Sequence, residues 1–110
     1  MSGALNLFKT TLFDVTTSTT TVYTPPLGYA TVVLMAQVSN TGIDTIQISA
    51  DILRSGNTTS LVSGTSIPTN DAASMLTGRL ILQYGDQLQF TSSDDTSGQL
   101  VLSYLETLTA

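Results

Sequence analysis

A chain of 110 residues and 11.6 kDa supplies one domain with one modest core, and at 41% hydrophobic and 10% charged residues it is too apolar and too weakly charged to be disordered. Three cations against eight carboxylates, a formal charge of −5, leave no basic cluster to neutralise a nucleic-acid backbone. Without Cys or His there is no thiol or imidazole catalyst, no ordinary zinc or copper site and no disulfide, so neither an enzyme nor a cofactor is expected.

The 20 Thr and 13 Ser solubilise without charge and tolerate extended backbone, which points to an all-β protein. In chain order, two extended runs at 5–15 and 19–24 open the sequence, and Pro25-Pro26-Leu27-Gly28 then breaks any ladder. The most hydrophobic strand follows at 30–39, and Asn40-Thr41-Gly42 turns it into 45–54. In that fourth strand Ile46, Ile48, Ala50 and Ile52 share one face while Thr45, Gln47, Ser49 and Asp51 share the other, a period of two.

Ser55-Gly56-Asn57 is a turn into a short strand at 59–62. The segment 70–78 has a helix start at Asn70 and a stop at Gly78, a helix of two turns at most. Residues 79–84 and 87–92 read as a hairpin across Gly85-Asp86, with Leu80, Leu82, Leu88 and Phe90 inward. An acidic loop at 93–98 leads to the last strand at 100–106. About eight strands spaced by turn signals predict a single antiparallel β-sandwich over 10–110, jelly-roll or Ig-like, with residues 1–9 as an N-terminal arm.

Two strands are apolar on both faces. In 30–39, Val32, Leu34, Ala36 and Val38 occupy one face and Val33 and Met35 the other; in 100–106, Leu100, Leu102 and Tyr104 oppose Val101 and Leu105. A lone sandwich has one wet face per sheet, so these second faces need a cover, either a neighbouring subunit or another part of the same chain. Val33, Met35, Val101 and Leu105 are therefore interface candidates, and Leu5, Leu7 and Phe8 join them if the arm reaches a neighbour. Past Lys9 no lysine guards any sheet edge, which adds to the expectation of a homo-oligomer, a trimer among the forms considered.

The polar candidates carry less. Asp94 and Asp95 lack the spaced acidic series of a calcium loop and suit a solvated turn. Asp44 and Asp51 lie on different faces and levels and form no catalytic pair. Lys9 with a serine as a dyad has no desolvated pocket to activate it, and Asn57-Thr58-Thr59, a glycosylation pattern, reads as a turn. Tyr23, Tyr29, Tyr84 and Tyr104 stand singly, as core-edge aromatics do. The longest apolar run, 32–36, is far short of the roughly 18 residues that cross a bilayer. The opening residues lack a secretory signal pattern, so synthesis in a cytoplasm without membrane contact is expected.

Several segments together resemble small virion structural proteins of tailed phages, especially those infecting marine cyanobacteria. These are Thr10-Thr11-Leu12-Phe13-Asp14-Val15, Thr19-Thr20-Thr21-Val22-Tyr23-Thr24-Pro25-Pro26-Leu27-Gly28-Tyr29, Val33-Leu34-Met35-Ala36-Gln37-Val38-Ser39-Asn40, Ile67-Pro68-Thr69-Asn70-Asp71-Ala72, Thr77-Gly78-Arg79-Leu80-Ile81-Leu82 and Leu102-Ser103-Tyr104-Leu105-Glu106-Thr107. The resemblance implies a many-copy β-sandwich in the virion, a capsid decoration or cement protein bound to the major capsid protein or other virion proteins. A neck, tail or fibre-associated protein is the alternative, and a host-glycan-binding sandwich a more distant one.

Overall fold

The computed structural model describes residues 6–109. They form nine strands: β1 (Asn6–Val15), β2 (Thr20–Tyr23), β3 (Tyr29–Asn40), β4 (Ile46–Arg54), β5 (Asn57–Ile67), β6 (Ala72–Ser74), β7 (Leu80–Leu82), β8 (Gln87–Ser92) and β9 (Gly98–Leu108). One sheet runs β1-β9-β3-β6, with the short β7 also paired to β3; the other runs β2-β8-β4-β5. Every pairing is antiparallel. The protein is a β-sandwich.

Its strand order distinguishes between the two expected topologies. Chain connections cross from one sheet to the other except at β4–β5 and β6–β7. With β6 and β7 as two halves of one strand, the sheets are β1-β9-β3-β6/β7 and β2-β8-β4-β5, the paired Greek keys of a jelly roll and not the Ig arrangement.

The core lies between the sheets. Val33, Ala36, Val38, Leu82, Leu100, Leu102 and Tyr104 come from the five-stranded sheet and meet Ile46, Ile48, Ala50, Ile67, Leu88 and Phe90 from the four-stranded one. The period of two in β4 holds: Ile46, Ile48 and Ala50 are buried and Ile52 packs partly against them. The β4–β5 turn places Ser55 at φ 51° and Gly56 at φ 79°. Two consecutive residues at positive φ are what a two-residue hairpin of this twist requires.

Several expectations are corrected. Residues 70–78 are not a helix: Asn70 takes a left-handed φ of 61°, and β6 pairs its three residues with Gln37, Val38 and Ser39. Two helical turns would bury little here, whereas the extended segment satisfies its backbone on the open side of β3 and seats Met75 in the core. Residues 80–82 and 87–92 are not a hairpin. The turn at Gln83–Asp86, closed by the Asp86 N–H on the Gln83 carbonyl at 3.0 Å, carries the chain between sheets. A tight turn with Gly85 at φ 93° serves either connection, so the local sequence does not separate them. Asn6 to Lys9 are not a free arm but the first part of β1, in register with Tyr104 to Thr107 of β9.

Candidate interaction surface

The outward faces of the two sheets differ in chemistry. On the four-stranded sheet, cross-strand rows such as Thr21, Gln89, Asp51 and Ser60, or Ser49 and Thr91, are polar. The outward face of the five-stranded sheet is apolar along whole rows. Phe8 is paired with Leu105, Leu105 with Val32, and Val32 with Ile81, so four apolar side chains cross four strands in register. Leu12 is paired with Val101 two rows away, and Met35 stands beside Ser103 in the row between them.

These residues are open to solvent where their neighbours end. Phe8 is 76% exposed, Leu12 73%, Ile81 54% and Leu34 40%, while Val32, Met35, Val101 and Leu105 are half-buried by flanking strands. Rows of this kind are what sheets normally place inward, and large contiguous apolar patches on soluble domains mark interaction sites. Polar relief is local: the Thr10 and Ser103 hydroxyls hydrogen-bond each other at 3.2 Å between the rows, and Asp14, Gln99 and Ser39 form the far end.

A β-bulge sets the phase of β3. Val33 opposes Tyr104 and Met35 opposes Ser103, so Leu34 is an extra residue on β3. Before the bulge Thr31 and Val33 point inward; after it Ala36, Val38 and Asn40 do. Val33 is 0% exposed and belongs to the core, which corrects its assignment as an interface residue. Leu34 and Val32, expected to pack inward with Ala36 and Val38, lie outward. Met35, Val101 and Leu105 sit on the outer face, and Phe8, expected in an arm, lies on the same face as part of β1. Leu7 is half-buried on the opposite side of β1, aligned with Glu106, and Leu5 lies outside the described residues.

Beneath this face lies a polar clasp that sequence patterning does not reveal. Glu106 is almost fully buried on β9. The Lys9 ammonium meets its Oε1 at 2.8 Å and the Tyr23 hydroxyl donates to its Oε2 at 2.6 Å. With that hydrogen committed, the Tyr23 oxygen accepts from the Thr31 hydroxyl at 2.7 Å. The Tyr23 and Tyr104 rings pack with centroids 4.4 Å apart, and Thr11 and Tyr104 share a hydroxyl hydrogen bond at 3.0 Å. Burial pushes the Glu106 carboxyl up, but the hydrogen bonds from Lys9 and Tyr23 and the Lys9 charge outweigh it and hold it below the usual range. Burial, with Glu106 as its acceptor, pushes the Tyr23 phenol up. The clasp ties β1 and β2 to β9 and keeps the edge of the apolar face in place.

The other polar candidates have structural partners. Asp95 accepts from both the N–H and the hydroxyl of Thr17, at 2.8 and 2.7 Å, fastening the β1–β2 connection. Asp94 accepts from the Thr96 N–H at 2.8 Å and closes its own loop. The buried Asp86 receives a two-pronged guanidinium from Arg54, at 2.7 and 2.6 Å, and the Gln83 N–H at 2.8 Å. Among the described residues no three acidic side chains group as a metal site would require. Neither a family model nor a curated protein matches the chain.

Proposed function

We propose that this protein is an assembly subunit of a tailed-phage particle, a capsid decoration or cement protein that binds the shell through the outward face of its five-stranded sheet. The observation that carries the proposal is the contrast between the two outer faces. One is a Thr, Ser and Gln surface suited to water; the other runs Phe8, Leu105, Val32 and Ile81 across four strands. Such a face leaves a monomer with an uncovered apolar layer and gives a subunit its docking surface.

The jelly-roll order supports this reading by analogy, since viral capsid proteins use it, although lectins do too and a fold does not by itself dictate a task. Net acidity suits an outer shell surface away from packaged DNA. In this role each contact is modest, and stabilisation of the shell comes from the number of copies. The neck, tail or fibre location is the runner-up and uses the same face.

Copy number tests the proposal. Mass spectrometry of purified particles is expected to find the chain in hundreds of copies, as a decoration protein requires. About a dozen copies transfers the reading to the neck or tail, and absence from the particle overturns both.

A further inference from the structure

The sandwich has four sheet edges among its described residues, and three of them are blunted. The strand β2 has four residues, the edge beyond β3 is split into β6 and β7 of three residues each, and β5 is irregular, with register shifts against β4 and Gly64 at φ 67°. Short or bulged edges of this kind resist pairing. The fourth edge, β1, is different: ten residues long, with an unbroken register against β9. Its one lysine is tied to the buried Glu106 by an ion pair at 2.8 Å, with its side chain 46% exposed.

We propose that β1 pairs edge to edge with β1 of a second copy, antiparallel about a two-fold axis through Thr10, joining two five-stranded sheets into one ten-stranded sheet. A two-fold partner is isologous, so the strand must complement itself. With the axis perpendicular to the sheet, residues opposite one another share a face, and each register centres on one residue. Centring on Thr10 sets Phe8 against the partner's Leu12 and Leu12 against the partner's Phe8. It also sets Asn6 against the partner's Asp14, and Leu7 against the partner's Phe13 on the inner side. The two most exposed apolar side chains of the strand then cover each other twice, and no charge faces an apolar group or its like.

The neighbouring registers lack this fit. Centring on Lys9 opposes two ammonium-bearing residues, centring on Thr11 sets Phe8 against Asp14, and centring on Leu12 moves Phe8 opposite Thr16, beyond the strand. Pairing also satisfies the backbone groups that β1 leaves unpaired on its outer side. The result is a dimer whose two apolar faces form one continuous surface. The inference goes beyond shell binding and does not depend on it.

The chain contains no cysteine, so single cysteines report the register directly. Cross-strand partners about a two-fold axis bring their Cα atoms to roughly 5 Å, within disulfide reach. Under mild oxidation of the purified chain, Thr10→Cys is expected to cross-link to itself more completely than Phe8→Cys, Leu12→Cys or Asp14→Cys, and a mixture of Phe8→Cys and Leu12→Cys to give the mixed dimer. Sedimentation of the unmodified chain should give twice 11.6 kDa, and Leu12→Lys, with an unchanged far-ultraviolet spectrum, should give the monomer. A monomer at all concentrations, or self-cross-linking strongest at another position, overturns the proposal. Because no shell protein is present, failure here leaves shell binding standing, and absence from the particle leaves the dimer standing.

Discussion

Tyr23 of the four-stranded sheet donates its hydroxyl hydrogen to Glu106 of the five-stranded sheet at 2.6 Å, and this bond joins the two layers where the Lys9 ammonium reaches the same carboxylate. A buried carboxylate is tolerable only while its oxygens are engaged. Tyr23→Phe keeps the ring contact with Tyr104 but removes a donor from Glu106 and a partner from Thr31. We expect a loss of about 1–2 kcal/mol in urea unfolding, with the β-sheet spectrum retained.

The same clasp predicts the acid and alkaline limits of stability. Glu106 and Asp86 are held below their ordinary values of 4.5 and 3.8, Asp86 chiefly by the Arg54 hydrogen bonds. Their contribution is complete above those values and lost as pH falls through the lower ones of the folded state. Tyr23 and Lys9 are raised above ordinary values of 10.0 and 10.5, Lys9 chiefly by its hydrogen bond to Glu106. Their contribution is present below those values and lost as pH rises through the higher ones. Denaturation midpoints should therefore be flat between the two limits, and Glu106→Gln should reduce the fall on the acid side.

Asp86 gives a second, local test. It receives Arg54 and the Gln83 N–H while holding the turn that carries the chain from β7 to β8. Asp86→Ala should cost about 2 kcal/mol by thermal unfolding, since it leaves the turn N–H without its acceptor and removes the partner of a half-exposed guanidinium.

The bulge on β3 makes two neighbouring valine and methionine positions behave oppositely. Val33 is wholly buried, so Val33→Asp places an unpaired carboxylate in the core and should prevent folding. Met35 faces outward, and Met35→Asp should change stability by no more than about 1 kcal/mol. Circular dichroism and thermal unfolding of the two variants check this directly.

The difference between those two positions also shows what the residues make legible. The alternation of β4 and the two-faced apolarity of β9 are readable because they repeat without interruption. On β3 the repeat is readable but its phase is not: the bulge needs no glycine, and a single extra residue exchanges the two faces from Met35 onward. The clasp is illegible for another reason. Lys9 and Tyr23 lie on consecutive strands of different sheets and Glu106 83 residues beyond Tyr23, and only the jelly-roll order brings them together. Phe8 was legible as an apolar interface candidate of an arm, but its place in a cross-strand row depends on β1 pairing with β9.

Hydroxyl-radical footprinting, comparing the free chain with the chain in purified particles, tests most directly whether the apolar face is the docking surface. In the particle, labelling of Met35, Leu105 and Ile81 should fall sharply, while Tyr84 and Ile43, exposed in connections outside the strands of this sheet, keep theirs. Phe8 and Leu12 are excluded from the comparison because self-pairing of β1 would protect them without a shell. Equal labelling of Met35, Leu105 and Ile81 in both states would contradict the assignment of the five-stranded face as the surface that binds the shell.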